Sequence, residues 1–248
     1  MLNKLIGYSD NAAAHGGEVD FLLELCHWFV LLLFIGWTAY FVYVLYRFRK
    51  TKNPKADHVG VTSPFSGYLE IGVVIFEAIL LLGFALPLWA KRVNDPPDEK
   101  KSIVVRVVAQ QFVWNIHYPG PDGVFGKQNP KLVADDNLLG LSSEDAHAKD
   151  DVVSLNIMHL PVHKPVIVQI TSKDVIHCFK VIQMRTTQDA IPGMIIPAWF
   201  TPEKMGTYEI VCAQLCGNSH YKMKGTLIVD SEQDYNNWLK SQPAFGVE

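Results

Sequence analysis

The chain has 248 residues, of which 49% are hydrophobic, and its 22 Lys and Arg against 25 Asp and Glu give a formal net charge of -3. Because there is no basic excess, nucleic acid is not expected as a partner. The four cysteines do not indicate a disulfide framework, since two of them share one short loop and the others stand apart.

Two apolar segments predict membrane-spanning helices. The twenty-two residues from 25 to 46 contain no charged side chain, which is enough to cross about 30 Å of hydrocarbon. A second apolar run extends from 71 to 90. The first twenty residues lack the basic start and apolar core of a signal peptide. The connecting loop carries five basic residues, so we expect it to be cytoplasmic and both flanking regions to lie outside; the five are Arg47, Arg49, Lys50, Lys52 and Lys55.

Two carboxylates belong to the second apolar segment. Glu70 lies at the predicted cytoplasmic end of this segment. The simplest interpretation is that Glu70 is a solvated carboxylate at a helix N-terminus. Glu77 lies two turns deeper, and an ionised carboxylate facing lipid is costly. We therefore expect Glu77 to face a partner helix or to be protonated, and the helices to need a partner on which to pack.

From residue 98 onward, short β-branched and aromatic runs replace the long apolar segments. They predict seven strands: 103–108, 111–118, 152–158, 165–171, 179–184, 207–212 and 224–229. Residues 119–151 are rich in turn formers and predict a long surface excursion. Residues 231–240 predict a closing helix with Ser231 as its N-cap. The chain thus divides into an N-terminal membrane region, 1–97, and an all-β domain, 98–248.

The densest group of soft metal ligands lies between Cys212 and Met223, in the sequence CAQLCGNSHYKM. Two thiols, an imidazole and a thioether favour copper. A zinc site would not include the methionine, and a site for a hard cation would contain carboxylates. Two cysteines suggest that their sulfurs bridge two coppers. His177 is the best candidate for a further imidazole. A disulfide is the alternative, but it leaves His220 and Met223 without a role.

These residues resemble subunit II of haem-copper cytochrome c oxidases, whose extramembrane domain holds the dinuclear copper centre called CuA. The resemblance covers nearly the whole chain, including the two apolar helices and the aromatic strand 111–114. It implies a mixed membrane and all-β fold, in which a two-helix transmembrane hairpin precedes a cupredoxin-like Greek-key β-sandwich. It also implies the complete ligand set for two copper ions: His177, Cys212, the backbone carbonyl of Gln214, Cys216, His220 and Met223.

The same resemblance implies further site residues. Phe112 and Trp114 occupy the strand through which electrons enter in the family, although Trp114 could simply be core. Glu70 matches the entrance of a proton path, and Asp189 matches a segment near the boundary with subunit I. Many relatives have Glu at position 214, whose carboxylate helps to bind magnesium; the neutral amide of Gln214 is a poorer ligand, so a magnesium site is not carried over.

The predicted function is the electron-input subunit of a respiratory terminal oxidase. It would take electrons from a c-type cytochrome and pass them to haem in subunit I, where oxygen is reduced and protons are translocated. We expect a two-pass protein of the bacterial plasma membrane with its copper domain on the periplasmic side. Three alternatives stay open: a quinol oxidase subunit, which would have lost the ligands, a CuA-bearing subunit of a nitric oxide reductase, and a copper carrier with exchangeable ligands.

Four further histidines of the extramembrane region are predicted to be surface or packing residues rather than metal ligands: His117, His147, His159 and His163.

Overall fold

The computed structural model describes residues 5, 7–55, 58–60 and 62–246. Part of the predicted polar N-terminus (1–4 and 6) and part of the predicted cytoplasmic loop (56, 57 and 61) lie outside this range. The contacts divide the chain into two compact units. One is helical and contains Glu18–Asp95; the other combines Ser9–Gly17 with Pro96–Glu248.

The helical unit consists of α1 (Gly16–Arg47) and α2 (Phe65–Asn94), both long and apolar enough to cross a membrane. Phe29 stacks on Phe76 with 4.4 Å between ring centroids, and Phe21 contacts Phe84 at 6.4 Å, so the helices are antiparallel. Within their most apolar windows 0% and 6% of the residues are buried. Because these surfaces have no core of their own to cover them, the helices fit a membrane protein.

A widened turn interrupts α2. Residues Leu80–Ala85 are π-helical, and the N–H of Leu86 bonds to the carbonyl of Leu81, five residues earlier. Pro87 follows directly; it has no N–H to donate, and its ring clashes with an ordinary preceding helical turn. The widening is therefore a local accommodation of this proline.

The β unit contains two five-stranded sheets. In spatial order the first holds β3 (Val152–Leu155), β2 (Val113–Tyr118), β1 (Ile103–Gln110), β5 (Val166–Ser172) and β8 (Ile196–Phe200). The second holds β4 (Ile157–Pro161), β10 (Lys224–Asp230), β9 (Gly206–Cys212), β6 (His177–Val181) and β7 (Thr186–Ala190). A terminal helix, α3 (Glu232–Ser241), is capped by Ser231 as predicted. The predicted β domain is confirmed.

The core lies between the sheets and consists of inward-facing side chains from both. Burial alternates along β5, as the period-2 geometry of a strand requires. Trp114, Phe179, Met158 and Leu227 are among the side chains with no exposed surface. Large aromatic and aliphatic groups therefore fix the strands whose ends carry the candidate ligands.

Two strand predictions were incomplete. The predicted strand 152–158 is two strands, because Asn156 has a left-handed φ of 61° and carries the chain from the first sheet to the second. Its side-chain oxygen accepts the N–H of Trp114 at 2.8 Å, which fixes the turn. Likewise, residues Ile182–Met184 of the predicted strand 179–184 form a 3-10 turn.

Two edge strands were not predicted. The sequence of β7, TTQDA, is polar, and that of β8, IPAWF, contains Pro197. Each lies at the end of its sheet. An edge strand can be polar on its open side and tolerates a proline, so neither segment shows the usual apolar alternation.

The segment before α1 packs on the β unit, although the sequence assigned it to the membrane region. Backbone hydrogen bonds join Ala12 to Gln183 and to Glu203 at 2.9 and 2.8 Å, and Arg185 donates to the carbonyl of Ser9 at 2.8 Å. Ala12 is 3% exposed. We call Ser9–Gly17 the N-terminal clamp. Since α1 begins at Gly16, the clamp leads directly into the first membrane helix.

The excursion 119–151 covers the outer face of the first sheet around a buried, hydrogen-bonded His and Asp pair. His117 Nε2 lies 2.6 Å from Asp151 Oδ2, and neither side chain is exposed. The same carboxylate accepts the N–H groups of Gly120 and Gly126 at 3.3 and 2.8 Å. Phe245, which follows the terminal helix, donates its N–H to the carbonyl of Asp151 at 2.9 Å. Asp151 thus holds both the excursion and the segment around Phe245 in place.

This arrangement predicts that the excursion loosens in mild acid. Burial lowers the pKa of His117 below its ordinary value, and the nearby Arg106 also lowers it, against the opposing effect of the hydrogen bond that Asp151 accepts from His117. A group whose pKa is lowered by folding stabilises the fold fully above the unfolded pKa of about 6.5, and this contribution is lost as pH falls through the folded value. Hydrogen exchange of residues 119–151, corrected for intrinsic rates, should therefore accelerate below about pH 6.5.

Two variants serve as controls for this pH effect. His117→Gln removes the titrating group, so the pH dependence of exchange in the excursion should disappear. His147→Gln removes an exposed histidine that is paired with Asp122 and should leave it unchanged. Protection that stayed constant or rose toward pH 5 in the parent chain would contradict the prediction.

Candidate metal centre

The predicted ligands come from the ends of two neighbouring strands. His177 is the first residue of β6 and Cys212 is the last of β9, and the register pairs Phe179 with Cys212. The loop between β9 and β10 carries the remaining candidates. It is closed at its base by the hydrogen bond from Cys212 N to Met223 O at 3.3 Å. The rigid sheet therefore holds both ends of the ligand loop.

The structure brings all six predicted donor groups together. The sulfurs of Cys212 and Cys216 are 3.9 Å apart. The Nδ1 atom of His177 lies 3.9 Å from the Cys212 sulfur, and that of His220 lies 3.6 Å from the Cys216 sulfur. The thioether of Met223 is 3.8 Å from Cys216, and the carbonyl of Gln214 is 3.1 Å from Cys212.

The sulfur separation excludes the disulfide alternative. A disulfide bond is about 2.05 Å long, whereas the two sulfurs are 3.9 Å apart, and both cysteines are free. The spacing instead leaves room for metal ions against both sulfurs.

The donor set fits soft metal ions and is largely closed to water. The donor atoms of His177, Cys212 and Cys216 all lie within 4.8 Å of one another. His177 has no exposed surface, and Cys216 and Met223 are 4% and 1% exposed. Two thiols with imidazoles, a thioether and a carbonyl suit copper by their softness. No carboxylate shares this group, which argues against a hard cation.

Burial also affects the protonation of the Cys216 thiol. Burial, together with the neighbouring Cys212, raises the pKa of Cys216 to about 11. The protonated thiol is therefore the stable form near neutral pH. Since metals bind the thiolate, loading must release this proton, and the affinity for metal must increase with pH.

A glycine lets the ligand loop lie against the hairpin between β1 and β2. Gly217 has a φ of 141°, and a Cβ atom there would lie 2.7 Å from the side chain of Gln111 and 3.1 Å from the ring of Phe112. Gln111 also donates from Nε2 to the carbonyl of Cys216 at 2.5 Å. Any larger residue at 217 would separate the loop from Phe112.

The two predicted electron-input aromatics have different environments. Trp114 has no exposed surface; its ring meets His177 edge-on at 6.2 Å and Phe179 at 5.7 Å. It therefore cannot touch a partner protein, and its packing agrees with the core interpretation. Phe112 is only partly buried and lies beside the ligand loop. Of the two, Phe112 alone has a surface that a partner could reach.

Sequence reasoning missed Asp174, which lies beside the centre. Its Oδ1 atom is 2.9 Å from His177 Nε2, and its Oδ2 atom accepts the N–H of Gln111 at 2.8 Å. Partial burial acts to raise the pKa of Asp174, but the hydrogen bonds from Gln111 and His177 lower it overall. The sequence signal that could have identified Asp174 is its position three residues before the candidate ligand His177.

The other singled-out residues lie outside this cluster. Glu70 and Glu77 are exposed on α2, in the helical unit. Asp189 is exposed and bonds to the thiol of Cys178. The four remaining histidines each face an acidic side chain: His117 with Asp151, His147 with Asp122, His159 with Asp230, and His163 with Glu203. These hydrogen-bonded pairs agree with the prediction that the four histidines are packing or surface residues.

The chain is similar to known oxidase subunits. Residues 103–231 match the family model for cytochrome c oxidase subunit II, periplasmic domain. The alternative cytochrome c oxidase subunit 2 of Bradyrhizobium diazoefficiens is 32% identical, over 94% of this chain and 83% of that protein. Cytochrome c oxidase subunit 2 of Cereibacter sphaeroides is 29% identical, over 86% and 75%. The solved periplasmic domain of subunit II of cytochrome oxidase from Bradyrhizobium japonicum is 27% identical over 58% of this chain and 94% of that one, with a TM-score of 0.43.

The family model covers more than half of the chain, and the Bradyrhizobium diazoefficiens relative aligns over most of both sequences. The His and Cys cluster fits the CuA centre that the resemblance implied. The chain therefore belongs to the cytochrome c oxidase subunit II family of haem-copper oxidases, with the predicted helices and cupredoxin-like domain.

Proposed function

We propose that this chain is the electron-input subunit of a respiratory terminal oxidase, with two copper ions held by the six predicted groups. The observation that carries the proposal is the order of the donor atoms. An imidazole stands at each end of the Cys212–Cys216 sulfur pair, with His177 at one end and His220 at the other.

This order favours two ions over one. A single tetrahedral ion needs its donors to converge on one point, about 2.0–2.3 Å from each. His220 is not among the donor atoms that lie within 4.8 Å of one another; its Nδ1 atom lies 3.6 Å from the Cys216 sulfur. Two ions that share both sulfurs would each have one imidazole. Each sulfur would also have one further donor beside it: the Met223 thioether lies next to Cys216, and the Gln214 carbonyl lies next to Cys212.

The surrounding residues hold this arrangement rigidly. The copper pair, when bound, supplies a one-electron redox couple. The strands on both sides fix the ligand loop, and the buried Met223 and Trp114 exclude water and close the space beneath it. Such a buried set argues against a copper carrier, which would need exposed donors that exchange easily.

Copper stoichiometry combined with electron paramagnetic resonance on the oxidised full-length chain tests the proposal. We expect two coppers per chain and one unpaired electron whose hyperfine pattern requires two equivalent copper nuclei. A hyperfine pattern from a single copper nucleus, or the absence of bound copper, would contradict the proposal.

The N-terminal clamp supports the predicted sidedness. Ser9–Gly17 packs on the copper-binding unit and leads directly into α1. The chain must therefore enter α1 and leave α2 on one side of the membrane, opposite the basic loop, which the positive-inside rule assigns to the cytoplasm. Proteolysis of intact spheroplasts should cleave sites beside the clamp and spare residues 48–55; the reverse pattern would invert the topology.

A c-type cytochrome is the proposed donor, with Phe112 at its contact surface. Truncating an aromatic residue at the centre of a protein interface costs about 2 kcal/mol. Phe112→Ala should therefore raise the KM for a soluble c-type cytochrome roughly 30-fold, while the copper content stays at the parental level. Phe112→Trp should restore the parental KM.

The control for Phe112 is Leu132→Ala, which truncates another exposed apolar side chain, on the excursion, and should leave the KM unchanged. A parental KM in Phe112→Ala would place the donor elsewhere.

Two family-derived assignments concern the partner, subunit I. We propose that Glu70 lies at the entrance of a proton path; Glu70→Gln should slow proton uptake by the oxidase in vesicles without changing the copper signal. Unchanged proton uptake in Glu70→Gln would mean that Glu70 is only a charge at the end of a helix.

Gln214 is exposed and offers no carboxylate at the position that helps to bind magnesium in many relatives.

A further inference from the structure

The carboxylate of Asp174 joins two segments beside the candidate centre. Its Oδ1 atom lies 2.9 Å from His177 Nε2 and accepts the N–H of Val175 at 2.7 Å. Its Oδ2 atom accepts the N–H of Gln111 at 2.8 Å. The side chain is only 28% exposed. It therefore connects the first residue of β6 with the hairpin between β1 and β2.

The contact to Asp174 determines which nitrogen of His177 can bind a metal. A carboxylate accepts hydrogen bonds but does not donate them, so Nε2 must carry the proton. Nδ1 then presents its lone pair, and this is the atom that lies 3.9 Å from the Cys212 sulfur. Without the carboxylate, nothing among the contacts of Nε2 would hold the imidazole in this tautomer and orientation.

The next residue in the network, Gln111, contacts both ligand-bearing segments. Its backbone N–H bonds to Asp174, and its side chain bonds to the carbonyl of Cys216. Phe112 follows directly in the chain and lies against Gly217 of the ligand loop. The position of the Phe112 ring is thus coupled to the His177 segment through Asp174 and to the cysteine loop through Gln111.

We propose that Asp174 is a positioning residue that fixes the metal-binding tautomer of His177 and, through Gln111, aligns Phe112 with the ligand loop. This inference rests on the proposed function, because it assumes that His177 binds copper and that Phe112 meets the donor. Carboxylates that orient a ligating histidine typically contribute 10–100-fold to metal affinity.

The test uses the full-length copper-loaded chain with Asp174→Ala and Asp174→Asn. We expect Asp174→Ala to weaken copper retention against a chelator by roughly 10–100-fold. The imidazole nitrogen couplings, measured by pulsed electron paramagnetic resonance, should change for one of the two histidines only. An amide cannot accept both His177 Nε2 and the N–H of Gln111 through separate oxygens, so Asp174→Asn should show the same change of signal with a smaller loss of copper.

Asp145→Ala is the matched control. Asp145 also accepts two backbone N–H groups across a loop, from Lys127 at 2.8 Å and from His147 at 3.4 Å, but it contacts no candidate ligand. It should change neither copper retention nor the nitrogen couplings. Should Asp174→Ala fail to fold, Asp174→Asn decides: parental retention and parental couplings in that variant would overturn the proposal.

Gln111→Ala tests the second part of the proposal. It removes the bond to Cys216 but leaves the N–H that Asp174 accepts, so we expect parental couplings at His177 and a higher KM for a soluble c-type cytochrome. A parental KM would overturn the coupling to Phe112. These failures are distinct from a failure of the proposed function, because that would show in the parent chain as the absence of a two-copper signal.

Discussion

Cys216→Ser is expected to abolish the proposed two-copper centre and, with it, the proposed oxidation of c-type cytochrome by the assembled oxidase. The Cys216 sulfur lies within 3.9 Å of three other donor groups, those of Cys212, His220 and Met223. A serine hydroxyl is a hard, weakly acidic donor that neither bridges copper nor replaces a thiolate. We expect a loss of turnover to background. Copper content and cytochrome oxidation rates on the purified complex measure both effects.

Cys212→Ser should be equally severe, because each sulfur faces one imidazole and both would be shared between the ions. Cys26→Ser is the control, since Cys26 lies in α1 and should leave copper content and turnover at parental values. Two coppers per chain in Cys216→Ser, with the shared electron intact, would mean that the sulfur pair is not the bridge.

Asp151→Ala should be the most damaging substitution outside the metal centre. The carboxylate and its partner His117 are both fully buried. Three donors would lose their acceptor together: His117 and the N–H groups of Gly120 and Gly126. Each buried donor left without an acceptor costs about 1–3 kcal/mol, so hydrogen exchange on the full chain should show the opening free energy of residues 119–151 falling by about 3 kcal/mol or more.

The chain offers a matched control for burial. Asp122 and His147 also lie 2.6 Å apart, but their side chains are 34% and 52% exposed. Water can form the hydrogen bonds that this exposed pair loses, so Asp122→Ala should leave hydrogen exchange in the excursion nearly unchanged. Equal effects of the two substitutions would show that burial does not determine the importance of the Asp151 pair.

The sequence was sufficient for features that depend on local signals. The ligand loop is local: five of the six donor groups lie within twelve residues, so residue type and spacing predicted their chemistry. Both membrane helices were predicted from continuous apolar runs, and α3 from its Ser231 cap. His177 required one non-local step, since only the pairing of β6 with β9 brings it to the loop.

The features that were missed depend on non-local contacts. β7 and β8 are strands because neighbouring strands offer them hydrogen bonds, and their own side chains carry little signal. The N-terminal clamp is short and polar, and its partners stand more than 170 residues later. Asp174 also looked like an ordinary loop acid until the fold placed Gln111 and His177 on its two oxygens. Periodicity cannot reveal contacts of this kind.

The N-terminal clamp has a consequence for how the protein is made. The hydrogen bond between Ser9 and Arg185 joins residues that are 176 positions apart. The clamp therefore closes a long loop of the chain that contains both membrane helices and most of the copper-binding unit. During synthesis Ser9–Gly17 is made before both helices but cannot find its partners until Arg185 and Glu203 have been added to the chain. Long-range closure of this kind is slow, because its entropy must be lost before any contact compensates for it. Folding of the β unit is therefore completed only after the chain has been made as far as Glu203, and a segment that precedes both helices is fixed only once the strands that hold it have formed.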